Sequence, residues 1–367
     1  MRRRHAILWA VVSTMALGCG ASSGGAEPEH ARSSGDELGP IVDEEVTLEL
    51  DGRSVHGTLT RPGDASRHAA VLLIAGSGPT DRDWNSPLLP GTNGSGRLLA
   101  EALAHGGVVV LRYDKTGTGQ SGLPSHPLAW DDYVAEQTAM LAHLRAHAAV
   151  DPARVFVAGH SEGGEHAIHL MSHLGDAPPP AGLVLLACPG HSMRDIVYRQ
   201  LETQFRDAAG YQGEQLAQTM TPIGAALDDI AAGRPVDPAQ VSPIPAVQGL
   251  VQAFMSPASL PFARAILPFD PAVELRALHV PVLIVNGAHD MQVSAELDAT
   301  TLERAAREGG NADVTLVVPP LANHVLKLEP LPIAEQNPVV VQSGYSAADR
   351  GLDPEVAPTL LAWLARH

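Results

Sequence analysis

Short runs of consecutive apolar residues recur along the chain, separated by stretches in which apolar positions return every three or four residues. A continuous apolar run of strand length is the pattern of a strand buried on both faces of a parallel sheet. Residues 70–75, 108–112, 155–158, 183–187, 282–285 and 314–318 fit it. Helical patterning lies between them, over 96–105 and 130–147. Ahead of these, residues 46–50 and 55–60 flank Asp51-Gly52, a pair suited to a tight hairpin turn. Strands alternating with helices predict an α/β fold, a mostly parallel doubly wound sheet of about eight strands, with ligands at the carboxyl ends of the strands.

The alternation stops between Cys188 and about Pro268. Helical patterns occupy 194–208, 214–232 and 247–255, and the stretch is too long for a simple connection. It reads as a helical cap, residues 190–268, inserted after the sixth strand and lying over the site. Its Met and Leu content marks it as apolar and suited to small or medium apolar groups in whatever it covers.

Residues 1–19 have the make-up of a processing segment. Arg2, Arg3 and Arg4 form a positive start, and the apolar stretch 6–17 is too short to span a bilayer. It ends in Met15-Ala16-Leu17-Gly18-Cys19, which resembles a bacterial lipobox with Ala16 in place of the more usual leucine. The expectation is an exported protein anchored to a membrane through lipid on Cys19, with 20–40 as a flexible tether and 41–367 as the folded domain. An ordinary secretory signal, leaving a periplasmic or secreted protein, is the alternative.

The only other cysteine, Cys188, follows an apolar run and reads as a buried small hydrophobe, so no disulfide framework is expected. The formal net charge of −17 argues against a nucleic-acid partner, which needs a basic footprint. The sequence leaves the oligomeric state open.

Candidate chemistry centres on Gly159-His160-Ser161-Glu162-Gly163, placed between the apolar run 155–158 and a helical segment. A serine on a sharp strand-to-helix turn is lifted clear of the sheet, and Gly159 and Gly163 let the strand and the helix approach closely. The backbone N–H of Glu162 then points, with the helix N-terminus, to where an oxyanion would form. A serine hydroxyl needs an adjacent base, itself oriented by a third group. In doubly wound hydrolases these follow in the order serine, acid, histidine. Asp290 follows the run 282–285 through a glycine turn, and His324 lies beyond the last strand. Ser161 is therefore the candidate nucleophile, His324 the base and Asp290 its orienter. His289, beside the acid, is the nearest competitor for the base but precedes the last strand. The second oxyanion donor is expected from the loop after 70–75, at the N–H of Ser77, with Gly78 as the alternative.

The blocks Ala75-Gly76-Ser77-Gly78-Pro79-Thr80-Asp81-Arg82-Asp83, Arg112-Tyr113-Asp114-Lys115-Thr116-Gly117-Thr118-Gly119-Gln120-Ser121, Gly159-His160-Ser161-Glu162-Gly163-Gly164, Asn286-Gly287-Ala288-His289-Asp290-Met291-Gln292-Val293 and Asn323-His324 occur in this order. With them the chain, from about Glu44 to its C-terminus, resembles the bacterial serine esterases of the α/β-hydrolase superfamily. The resemblance implies hydrolysis of a small-molecule carboxylic ester through an acyl-enzyme, without a metal or organic cofactor. Peptidase or amidase chemistry, or acyl transfer to a cell-envelope acceptor, would use the same triad. Two positions depart from the pattern. Thr116 stands where the family usually has Arg, and Trp84 where a Gly is common.

Four further features are read as structural. Asp114 is a turn stabiliser at a strand end. His166, His169 and His173 have helical spacing suited to a metal, but no carboxylate or cysteine pattern accompanies them in the sequence. Glu162 is expected to contribute only its backbone. Thr116-Gly117-Thr118-Gly119 lacks the ending of a phosphate-binding loop.

Overall fold

The computed structural model describes residues 40–367. Its centre is one eight-stranded sheet: β1 (Ile41–Leu50), β2 (Arg53–Pro62), β3 (His68–Ile74), β4 (Val108–Tyr113), β5 (Val150–His160), β6 (Leu183–Leu186), β7 (Val282–Val285) and β8 (Val314–Val317), in the order β1-β2-β4-β3-β5-β6-β7-β8. Only the pairings of β2 with β1 and with β4 are antiparallel; every other neighbouring pair is parallel.

Burial follows position in the sheet. Every residue of β4, β6 and β7 is buried, whereas the edge strand β1 alternates and buries Val46. Successive side chains of a strand point to opposite faces. On β3, Leu72 therefore joins Leu111, Val157 and Ile284 in one apolar layer, while Val71 and Leu73 join Val110, Phe156 and Val184 in the other. Helices α1 (Ser95–His105) and α12 (Val356–Arg366) cover the second layer through Leu99, Leu103, Leu360 and Trp363. Helices α2 (Trp130–Ala146), α3 (Glu162–Ser172) and α10 (Thr300–Glu308) cover the first through Met140, Leu144, Ile168 and Leu302.

Between β6 and β7 run α4 (Met193–Thr203), a π-helical segment Gln204–Ala208, α5 (Gly213–Ala231), α6 (Pro238–Val241), α7 (Pro245–Met255), α8 (Leu260–Ile266) and α9 (Pro271–Leu275). The short helices α6, α8 and α9 were not anticipated. Each has proline in its first turn, where a missing N–H costs nothing, and each is too short to show a period. The Met and Leu side chains of this region, Met193, Leu201, Met220, Leu227 and Leu250 among them, pack with Trp130, Tyr133 and Phe262 in an apolar cluster of their own. Beyond β8, the stretch 318–355 holds a 3-10 turn, Ile333–Glu335, and α11 (Pro338–Ser343). The expected signal, the Cys19 anchor and nearly all of the tether lie outside the described residues.

Candidate active site

Ser161 occupies the single residue between β5 and α3, with φ 54° and ψ −128°. A non-glycine residue in that region carries about 1–3 kcal/mol of strain and persists only where its surroundings over-determine it. They do so here. The Ser161 N–H donates to the Leu186 carbonyl at 2.8 Å, and its own carbonyl accepts from Gly164 N–H at 2.8 Å. A Cβ on Gly159 would collide with the Gly163 carbonyl, and one on Gly163 with the carbonyls of Ile74 and Ala75. Both positions therefore require glycine if β5, α3 and the end of β3 are to meet.

The carboxyl ends of β7 and β8 carry the other two groups. The His324 Nδ1 lies 2.8 Å from the Asp290 Oδ2. The Asp290 Oδ1 accepts the backbone N–H groups of Gln292 and Val293 at 2.8 and 2.9 Å, which fixes the carboxylate. The two loops are pressed together: a Cβ on Gly287 would strike the Ala322 carbonyl, and His289 N–H donates to that carbonyl at 3.0 Å. The side chain of His289 points to Gln336, its Nδ1 2.7 Å from Nε2. His324, not His289, is the histidine beside the acid.

Ser161 and His324 line one open cleft of about 620 Å³, including its mouth, together with Ser77, Trp84, Gln292 and Tyr345. Gly76 flanks the nucleophile so closely that a Cβ there would sit 3.2 Å from the Ser161 Cβ. Ser77 lines the cleft, and its carbonyl accepts from the Thr80 hydroxyl at 2.7 Å. Gly78 is not among the lining residues; it takes the positive φ, 69°, that turns the loop away.

A buried ion pair lies behind this loop. The Lys115 Nζ donates to the Gly76 carbonyl at 2.5 Å and stands 3.4 Å from the Glu162 Oε1. Both side chains are buried. The His166 Nε2 lies 3.5 Å from the same oxygen. Burial alone would raise the Glu162 carboxyl, but the Lys115 ammonium and His166 outweigh it and hold the group below its ordinary value. The Glu162 side chain is thus engaged in a buried ion pair with Lys115. Sequence reasoning assigned Lys115 no role, although a lysine just past the carboxyl end of a fully buried strand is a recognisable signal.

His160, next to the nucleophile, is buried. Its Nε2 lies 2.8 Å from the His324 carbonyl, and its ring stacks on Trp84 at 4.1 Å. Burial, with His324 and Lys115 nearby, lowers it to about 3. It is therefore neutral, with Nε2 carrying the proton. Trp84 itself has φ 66° and is almost fully buried.

At the other departure, Thr116 donates from its backbone N–H and its hydroxyl to the Glu136 Oε2 at 2.9 and 2.5 Å, and the Arg53 Nε donates to the Thr116 Oγ1 at 3.1 Å. A guanidinium is thus present beside this turn, but it arrives from β2. Asp114 accepts from Arg82 N–H, Arg82 Nη2 and Gln120 N–H, and faces a separate surface cleft. Cys188 is buried against Gly164, and burial raises its thiol. His166 is separated from His169 and His173 by its pairing with Glu162; the carboxylate that joins the other two is Glu274, supplied by α9.

The alpha/beta hydrolase family model matches residues 71–340. The chain belongs to the alpha/beta hydrolase family. This hydrolase is 23% identical over 291 residues to Esterase EstD of Thermotoga maritima, an alignment covering 79% of this chain and 62% of that protein. It thus spans less than two thirds of that relative's length. Its fold is similar to that of an esterase from Pyrococcus furiosus (TM-score 0.50, 17% identity, 80% of this chain and 89% of that one). A proline iminopeptidase from Mycobacterium smegmatis is also similar in fold (TM-score 0.52, 18% identity, 88% and 98%).

Proposed function

We propose that this hydrolase cleaves carboxylic esters through an acyl-enzyme on Ser161. The observation that carries the reading is the 2.8 Å contact of the His324 Nδ1 with the Asp290 carboxylate, in a cleft that His324 shares with a serine held at positive φ. Asp290 fixes the tautomer in which Nδ1 carries the proton, which leaves Nε2 free to accept one. The Ser161 hydroxyl attacks the ester carbonyl carbon as its proton passes to His324. The N–H groups of Ser77 and Glu162 receive the oxyanion. The tetrahedral intermediate collapses with the proton delivered to the departing alkoxide. Water then repeats the sequence on the acyl-enzyme, and Ser161 and the carboxylic acid are released. Every proton is carried by His324, and no metal or organic cofactor is required.

Lys115 gives the oxyanion site its rigidity. The Gly76 carbonyl and the Ser77 N–H belong to one planar peptide and point in opposite directions. Pinning the carbonyl aims the N–H. The same ammonium pairs with the side chain of Glu162, whose backbone supplies the other donor.

The helices of residues 190–268 act in this reading as a cap over the cleft, and the chain is exported and lipid-anchored at Cys19. Labelling with palmitate in cells, lost in Cys19→Ala, tests the anchor. For the chemistry, the protein is assayed on 4-nitrophenyl esters of graded acyl length beside Ser161→Ala. Hydrolysis abolished by the substitution is expected. Absence of hydrolysis with a fluorophosphonate probe still labelling Ser161 would leave a competent nucleophile with another acyl donor, an amide or an envelope acceptor.

A further inference from the structure

Beside the Ser161 cleft lies a smaller cavity lined by Gln200, Gln204, Met291, Gln292, Pro338 and Gln342. Gln200, Gln292 and Gln342 also line the Ser161 cleft, so the two spaces adjoin one another. Four glutamines from three separate parts of the chain converge there. Gln200 and Gln204 come from α4 and the π-helical segment that extends it, Gln292 from the loop after Asp290, and Gln342 from α11. Neither lining includes Asp, Glu, Lys or Arg.

Two of these carboxamides brace the wall. The Gln292 Nε2 donates to the Tyr345 hydroxyl at 3.0 Å, and the Gln200 Nε2 to the Gln292 carbonyl at 3.3 Å. Gln204 is different. Its side chain is more than nine-tenths buried, and its Oε1 has no hydrogen-bond partner among the described residues. A buried acceptor without a donor is costly and uncommon in folded proteins. It also heads the π-helical segment, in which Ala209 N–H bonds back to the Gln204 carbonyl at 3.0 Å; such segments recur at functional sites.

The chemistry of the lining selects the ligand. A carboxamide is uncharged and offers donors and an acceptor together. An alkyl chain would leave those groups unpaired, and an ionic group would find no counter-charge. A hydroxyl both donates and accepts, and satisfies them. The placement selects which half of the ester is meant. His324 hands its proton to the departing alkoxide, so the alcohol lies on the histidine's side. Gln292 is two residues beyond Asp290, and Gln342 is in the segment that follows His324.

We propose that this glutamine-lined cavity is the alcohol subsite, and that the substrate is an ester of an uncharged polyhydroxylated alcohol such as a sugar. The inference rests on the ester-hydrolysis reading above. It concerns the alcohol half and leaves the acyl half as expected: the Met and Leu side chains of residues 190–268 pack in a cluster of their own, while the side chains this segment presents to the two spaces are Gln200 and Gln204.

The test holds the acyl group constant. Values of kcat/KM are measured on methyl 6-O-acetyl-glucoside, cyclohexylmethyl acetate and 4-nitrophenyl acetate. A site built to bond hydroxyls discriminates strongly against an analogue lacking them, so the sugar ester is expected to exceed the cyclohexylmethyl ester by at least about tenfold. That ratio is expected to collapse towards one in Gln204→Met and in Gln342→Leu. The half-buried Gln342 guards against a folding defect at Gln204. Equal or faster hydrolysis of the cyclohexylmethyl ester, or a ratio unchanged in both variants, would overturn the subsite while hydrolysis of 4-nitrophenyl acetate kept the ester reading intact. Failure on all three esters would overturn both.

Discussion

The Lys115 ammonium reaches the Gly76 carbonyl at 2.5 Å, linking the end of β4 to the loop after β3 directly beside Ser161. That contact spans 39 residues of chain and joins the two segments that flank the proposed oxyanion site. Lys115→Met is expected to lower kcat by about 10²-fold, the scale of losing one oxyanion donor, with little change in KM. Leaving Glu162 buried without its partner should also cost about 3–5 kcal/mol of stability. Urea unfolding separates the two effects: the double variant Lys115→Met, Glu162→Gln should recover stability but not kcat. Recovery of kcat together with stability would reduce Lys115 to a structural role.

The Asp290 carboxylate holds the His324 tautomer through one 2.8 Å contact. Asp290→Asn is expected to reduce kcat by about 10³–10⁴-fold with near-native folding, because the amide can present N–H to Nδ1 and reverse the tautomer. Steady-state kinetics and thermal unfolding on the same sample provide the check.

Gly287→Ala tests the packing of the acid and histidine loops. Its Cβ would meet the Ala322 carbonyl, which is backbone and cannot swing aside. The substitution should destabilise the fold by about 1–3 kcal/mol, the scale of overpacking a filled core. Activity should fall further than stability does, because the His324 loop must shift.

His160 gives a pH signature with a definite sign. Burial lowers it from 6.5 to about 3. Between those values the unfolded chain binds the proton more readily, so the stabilising contribution is complete above pH 6.5 and is lost as pH falls. Glu136 opposes it, since burial pushes that carboxyl up to about 8 and acid favours its folded form. A difference measurement therefore isolates the histidine. His160→Gln, which can still donate to the His324 carbonyl, should be more destabilising at pH 7 than at pH 5 by about 2 kcal/mol. An equal penalty at both values would contradict a neutral, buried His160.

Trp84 stacks on His160 and lines the cleft beside Ser77. Trp84→Gly is expected to shift the acyl-length profile on 4-nitrophenyl esters towards longer chains. It should also cost about 3–5 kcal/mol, the scale of removing a buried aromatic ring. Glycine's ease at the observed φ of 66° would offset part of that cost. Trp84→Phe should keep the wild-type profile, and an unchanged profile in the glycine variant would remove Trp84 from the shaping of the pocket.

Legibility in the sequence tracked how local each feature is. The apolar runs of β3, β4, β6 and β7 stood out because all or nearly all their residues are buried. In β1, which begins five residues earlier than expected, Val42, Asp43, Glu44 and Glu45 mix apolar and polar side chains on a sheet edge, where neither face demands an apolar run. The stretch 318–355 had no period to read, and its contribution of Gln342 and Tyr345 to the cleft was invisible.

By itself the sequence determined the alternation of strands and helices, the glycine-flanked turn at Ser161 and the chain order of Ser161, Asp290 and His324. These depend on periodicity and on turn chemistry within a few residues. The tertiary structure alone decided that Lys115 meets Gly76, that Arg53 reaches Thr116, that Glu274 joins His169 and His173, and that Gln200, Gln204, Gln292 and Gln342 converge on one cavity. Each of these brings together residues far apart in the chain. Whether such side chains meet depends on how whole layers pack, and no local pattern of residues carries that information.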